Sequence, residues 1–166
     1  MPHRKERRWL QVDRQDFIHG VRTAIAAVAS LLVARLFHLQ QAYWAAIATM
    51  IALQSTLGSA WTVSRDRLVG TALGAVAGGL LASYVDENIA AFGAAVFVCG
   101  PICAALGVDR AAYRYAGITL VIVMMIAHTE RPWLVAAHRF VEIAIGLGIG
   151  LILTALWPEP QLEQAS

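Results

Sequence analysis

At 166 residues the chain has the length of one domain, yet its mean hydropathy is +0.61 and 58% of its residues are hydrophobic, above the roughly 45–50% of soluble domains. Only 14% are charged, in short islands between apolar runs, so a soluble bundle, which needs a polar face on every helix, is excluded in favour of a membrane protein. A net charge of +2 is too small to point to nucleic acid.

Residues 1–16 are a basic arm carrying Arg4, Lys5, Arg7 and Arg8. A signal peptide is the competing reading, but Arg35 closes the first apolar run, no A-x-A cleavage site follows, and further apolar segments do. The arm is therefore expected at cytoplasmic lipid headgroups. Six apolar stretches come next, at 17–37, 42–62, 67–85, 88–108, 115–128 and 133–157, each near the ~20 residues a helix needs to cross hydrocarbon. Residues 17–158 thus read as an all-α integral membrane domain of six transmembrane helices, and 159–166 as a short tail.

The first stretch carries His19 and Arg22. Arg22 is a candidate anion ligand, with snorkelling to the headgroups as the alternative. The second opens on Tyr43 and Trp44 and closes on Gln54, Ser55 and Thr56; Gln54 is a candidate path-lining residue, interhelical hydrogen bonding being the alternative. Arg65 and Asp66 read as a connection before the third stretch, whose Gly70, Gly74 and Gly78 form one small-residue ridge for close backbone approach. In the fourth, Cys99 and Cys103 lie four apart with no partnering Cys or His pair, so they read as packing residues, and Pro101 predicts a kink or break after Gly100.

The sixth stretch holds the most informative charges, His138, Arg139 and Glu142 in "HRFVE". At ~1.5 Å per residue Glu142 lies about 13 Å into the helix, where an ionised carboxylate costs at least ~2.5 kcal/mol and must find a partner or a wet cavity. Arg139 is the candidate for a substrate's anionic group, and Glu142 or His138 for a proton site; a local ion pair that merely fixes the helix is the alternative. A second small-residue ridge follows through Gly146 and Gly150, which makes the third and sixth segments the expected tightly packed centre, crossing each other. No nucleophile motif, phosphate loop or metal-ligand cluster is present, so neither an enzyme, a cofactor nor a metal site is expected.

With the N-terminus inside, Arg4, Lys5, Arg7, Arg8, Arg14, Arg22, Arg65, Arg67, Arg110 and Arg114 fall on the cytoplasmic side and only Arg35, Arg131 and Arg139 outside. The positive-inside rule then places both termini in the cytoplasm. "WTVSRDRLVGTALGAVAG" from Trp61 and "WLVAAHRFVEIAIGLGIG" from Trp133 share Trp, Arg, Val, Ala and two Gly at an offset of 72, Arg67 matching Arg139 and Tyr43 matching Tyr115. The offset lays segments one to three on four to six with opposite sense in the membrane, as two inverted three-helix repeats; biased composition is the alternative.

"YWAAIATMIALQSTLGSAWTVSRDRLVGTALGAVAGG" resembles the fusaric acid resistance and aromatic acid exporter family at Tyr43, Trp44, Leu53, Gln54, Thr56, Leu57, Gly58, Arg67, Gly70, Thr71 and Gly74. The closing helix is similar at Arg139, Gly146 and Pro158, while Ser55 departs from the Pro of many relatives. The resemblance implies a bacterial inner-membrane transporter that exports aromatic carboxylates or other small organic anions by the proton gradient. It also implies a homodimer or larger homo-oligomer in the lipid bilayer. A passive organic-anion channel lined by arginines, as in related plant malate channels, and a non-transporting scaffold are the alternatives.

Overall fold

The computed structural model describes residues 14–39, 41–53, 56–85, 88–126 and 131–157, the side chains of 14–16 excepted. These form helices α1 (Arg14–Leu36), α2 (Tyr43–Ala52), α3 (Leu57–Tyr84), α4 (Ile89–Ala105), α5 (Arg110–Ile126) and α6 (Pro132–Leu156), with no strand among the described residues. Three spans are long and apolar enough to cross a membrane, Phe17–Leu36, Leu57–Tyr84 and Pro132–Leu156, whereas α2 and α4 are apolar but shorter.

Local chemistry sets the helix ends. Thr56, in extended conformation, accepts from the Ser59 amide at 3.2 Å and starts α3; Asn88 caps α4 through the amides of Ala90 and Ala91 at 2.9 and 3.3 Å; Pro132 opens α6, where a missing N–H costs no helical bond. α1 and α4 end in the same way. In α1 the amides of His38 and Leu39 donate to Arg35 and Ala34 at 2.9 and 3.2 Å; in α4 those of Gly107 and Val108 donate to Ala104 and Cys103 at 3.1 and 3.3 Å. Each pair is a Schellman closure through a left-handed residue, with φ 55° at His38 and 63° at Gly107.

Two boundaries differ from expectation, and both were set at charges. Arg65 and Asp66 are no connection: they lie with Arg67 inside α3, which starts at Leu57, and Asp66 and Arg67 are buried. The chain breaks earlier, between Ala52 and Leu57, because Thr56 can cap and the charges find protein around them. Likewise α5 already begins at Arg110, where Asp109 accepts from the Ala111 amide at 3.2 Å. Pro101 does not end α4, which continues to Ala105.

The long helices α3 and α6 pack together, but their glycine ridges do not face each other. Gly70 and Gly74 lie against the carbonyls of Ala112 and Ala116 on α5, and Gly78 against Val123; Gly146 lies against the Ala45 carbonyl on α2 and Gly150 against Ala52. The rising order of these partners makes α3 parallel to α5 and α6 parallel to α2. Gly79 lies against the Trp133 ring, near opposite ends of α3 and α6, so the two long helices run antiparallel. Removing Cβ is what permits this: at Gly150 a methyl would stand 2.7 Å from Ala52 Cβ, and at Gly78 2.9 Å from Val123 Cβ, which is the small-residue packing that membrane helices use.

Gly146 and Gly148 separate this effect from helix propensity, because a Cβ at Gly148 meets nothing within 4 Å. Gly146→Ala is expected to destabilise the detergent-solubilised protein by roughly 1–3 kcal/mol through overpacking, whereas Gly148→Ala is expected to be neutral or stabilising by up to ~1 kcal/mol. Thermal unfolding of the two variants side by side checks this; equal midpoints would refute carbonyl contact at Gly146.

Candidate functional site

Arg139 projects from α6 and is 2% exposed. Its guanidinium lies over the Trp44 ring, 4.5 Å from the centroid, and its Nη1 donates to Glu142 Oε2 at 3.3 Å one turn further along the same helix. Its Nη2 donates to the side-chain oxygen of Gln41, which also accepts from the Tyr43 hydroxyl at 3.0 Å. The second Glu142 oxygen accepts from the Gln41 backbone amide at 3.0 Å. Gln41 therefore grips both members of the ion pair, and Glu142 occupies the N-terminal end of α2, where free amides and the helix dipole favour a carboxylate. Burial of the pair at 2% exposure on both sides leaves it without water, so each partner depends on the other.

A second buried arginine stands on α3. Arg67 is 5% exposed and lies over the Tyr115 ring of α5, 4.9 Å from the centroid, as Arg139 lies over Trp44 of α2. The surroundings differ at one position. Glu142 follows Arg139 by three residues, whereas Gly70 follows Arg67 by three and packs on the Ala112 carbonyl. Between described residues the one salt bridge is Arg139–Glu142; Asp66, though buried, forms none with Arg67.

The sequence-selected residues do not all converge. Arg139 meets Glu142 and the Trp44 ring, with Tyr43 reaching the pair through Gln41. His138 is half-buried and makes no hydrogen bond or salt bridge to a described residue. Arg22 does not snorkel: it is fully buried on α1 and donates to Thr154 Oγ1 of α6 at 3.0 Å, which pins α1 to the far half of that helix. Gln54 and Ser55 lie outside the described residues. Thr71 is buried on α3, in the same stretch as Arg67. Thr49, donating to the Gly146 carbonyl at 2.8 Å, ties the α2–α6 contact that the glycines allow. Gln41 and Tyr115 are the residues that sequence reasoning missed. The offset of 72 contained a signal for Tyr115, since it matches Tyr43 beside the ring that Arg139 uses; Gln41 sits in a turn with no periodicity to mark it.

Long apolar helices, glycine-mediated carbonyl contacts and buried arginines held by protein groups define a helical membrane protein. Residues 26–153 match the fusaric acid resistance protein-like family, and the chain belongs to that family. Among curated relatives, the uncharacterized transporter YdhK of Escherichia coli K12 is 26% identical over 159 residues, which is 90% of this chain and 24% of that protein. The inner membrane protein YeeA of the same organism is 27% identical over 150 residues, 86% of this chain and 41% of YeeA. YdhK of Salmonella typhimurium is 23% identical over 167 residues, 95% of this chain and 25% of that protein. The chain thus spans about a quarter to two-fifths of the length of these relatives. No solved structure matches it.

Removing one member of the buried pair strands the other, at a cost of about 3–5 kcal/mol, while replacing both by apolar groups of similar volume costs far less. Arg139→Met and Glu142→Leu are each expected to lower stability in nanodiscs substantially, and the double variant to recover most of the loss. Additive losses would show that the ion pair is not the coupled unit.

Proposed function

We propose that this chain is the membrane module of an organic-anion transporter, built as two inverted halves, α1–α3 and α4–α6, that cross the bilayer six times. Every pair of helices in contact has a counterpart when α1, α2 and α3 are exchanged with α4, α5 and α6. The exchange carries Arg67 on Tyr115 to Arg139 on Trp44, and Gly74 on Ala116 to Gly146 on Ala45. Two clefts flank the α3–α6 crossing, and their linings correspond at the offset of 72, Trp61 with Trp133, Ser64 with Ala136, Leu68 with Phe140 and Ala72 with Ala144. These correspondences support a common three-helix unit, which would lie with opposite sense in each half of the chain.

The observation that carries the transport reading is the pair of buried arginines, each under an aromatic ring at a short helix's N-terminal turns, α2 for Arg139 and α5 for Arg67. Intramembrane charge is costly and marks ion or substrate paths, and half-helix N-termini at depth are where transporters hold anionic groups. Arginine suits a carboxylate through its forked donors. The substrates of this reading are aromatic carboxylates or similar small organic anions, moved outward in exchange for protons. Glu142 is the proton site: neutralising it releases Arg139 from its partner. Export driven by the proton gradient requires that proton and anion alternate on the carrier. His138, half-buried beside Arg139, is the second proton-carrying candidate.

Exposed Arg65, Arg110 and Arg114 would face the cytoplasm, as would both termini, with Arg35 and Arg131 opposite. The location proposed is the bacterial inner membrane, which the printed name of YeeA supports. The assembly proposed is a homodimer or larger homo-oligomer.

Counterflow of radiolabelled hydroxybenzoate into proteoliposomes, with and without a pH gradient, tests this. Wild type is expected to accumulate label only with the gradient, and Glu142→Gln to lose accumulation while keeping downhill exchange. Flux indifferent to gradient and to Glu142 would replace the transporter by a passive channel; absence of flux for every organic anion tried would leave a scaffold.

A further inference from the structure

The two arginines stacked on aromatic rings each leave Nε without a hydrogen-bond partner among the described residues, but only Arg139 has a carboxylate beside it, and the difference is local to α3. Ser64, Arg67 and Thr71, at i, i+3 and i+7, share one face of that helix and are 4%, 5% and 1% exposed. Ser64 Oγ, Arg67 Nε and Thr71 Oγ1 are all buried without a hydrogen-bond partner among the described residues. Tyr115 offers Arg67 the face of its ring, not a carboxylate. The position from which Glu142 neutralises Arg139 is Gly70 here, closed off by the Ala112 carbonyl. Three unpaired polar groups in one buried strip are costly unless something completes them, and the one charge among them is positive.

A cleft borders the strip at Ser64. It lies between α3 and α6, has a volume of about 370 Å³, and is lined by Ser64, by exposed Arg65, and by the apolar Trp61, Leu68, Leu147 and Leu151. The matching cleft of about 320 Å³ at the other end of the crossing has Ala136 and Ala137 where this one has Ser64 and Arg65, and its lining is apolar. On α6 the strip itself reads Ala136, Arg139, Ile143. One half of the molecule therefore carries a buried strip with an unneutralised cation that reaches a cleft at Ser64, with exposed Arg65 at the cleft's mouth, and the other half carries neither.

We propose that Arg67, Ser64 and Thr71 form a binding site for a small monocarboxylate with an apolar body. The anionic group sits on Arg67, the two hydroxyls donate from one turn to either side, and the apolar body lies along the cleft past Trp61 and Leu68. The ligand's chemistry follows from the lining: one cation with no carboxylate of its own takes one negative charge, and a wall of Trp and Leu side chains rejects a second. Arg65 at the mouth raises the local anion concentration. This assignment deepens the transport reading by moving substrate recognition from the Arg139–Glu142 pair, which is already closed, to α3.

The test is equilibrium binding of radiolabelled benzoate to the full chain in nanodiscs, with benzyl alcohol and chloride as competitors. Ser64→Ala with Thr71→Val removes both hydroxyls without stranding a charge, and is expected to weaken binding about tenfold or more, the scale for hydrogen bonds to a charged group. Arg67→Gln, checked for folding by size exclusion, is expected to abolish it. Benzyl alcohol at equal concentration is expected not to compete. Unchanged affinity in the Ser64→Ala/Thr71→Val variant, displacement by chloride as effective as by benzoate, or no binding to wild type at millimolar benzoate would each overturn the site. Binding through these residues with no flux in proteoliposomes would refute the transport reading and leave the site standing; flux with unaltered affinity in the double variant would do the reverse.

Discussion

Carbonyl contact between helices is the constraint on which this structure depends. Lipid tails are as apolar as leucine, so no hydrophobic gain draws apolar helices together inside a bilayer, and packing must come from close approach. Gly70, Gly74 and Gly146 let a neighbouring carbonyl reach the helix backbone. The short helices α2 and α5 are locked alongside α6 and α3 by those contacts, and the register they impose sets which residues of the short helices meet the arginines. Trp44 comes under Arg139 because Ala45 rests on Gly146; Tyr115 comes under Arg67 because Ala112 and Ala116 rest on Gly70 and Gly74.

That register also decides the fate of each charge. At residue 142 the helix interface opens enough for a carboxylate, which accepts from the Gln41 amide at the head of α2. At residue 70 the interface closes to a carbonyl against Cα, and no side chain fits. Two arginines in matching frames thus acquire different electrostatics from one substitution, Glu on one helix and Gly on the other. Arg22 follows a third pattern: a neutral threonine hydroxyl on α6 takes its guanidinium at 3.0 Å, and that hydroxyl in turn donates to the Gly150 carbonyl at 2.9 Å. Polar anchoring and glycine packing therefore share the same turn of α6.

Much of this was legible in the sequence. Composition and apolar runs gave an all-helical membrane protein, and four-residue glycine spacing marked the helices that pack most closely. The charges at 65–66 and 109–114 mislead because they look like markers of the membrane surface. Asp66 and Arg67 are buried in protein, and helix α3 runs straight through them from Leu57. The cap that begins α3, a Thr with Ser three residues on, is a weak signal beside three consecutive charges. Which face each ridge presents was beyond reach, since spacing within one helix says nothing about its neighbour. Gln41 could not be found for a related reason: its two partners stand 98 and 101 residues away, and only the fold brings a turn residue to them.

The inequality between the halves bears on how such a module would work. A transporter made of two equivalent inverted units has, by symmetry, two states of equal energy, facing opposite sides. Here the two arginines differ in charge: Arg139 is neutralised by Glu142, whereas Arg67 forms no ion pair with a described residue. An anion arriving at Arg67 would give that arginine the counter-charge that Arg139 already has in Glu142. On the reading proposed above, the bound state is the more symmetric one, so substrate rather than protein supplies the balance that lets the halves exchange roles. Arg22 on Thr154 and Gln41 on Glu142 hold α1 and the head of α2 to α6, so any such exchange would carry these three elements together as one body.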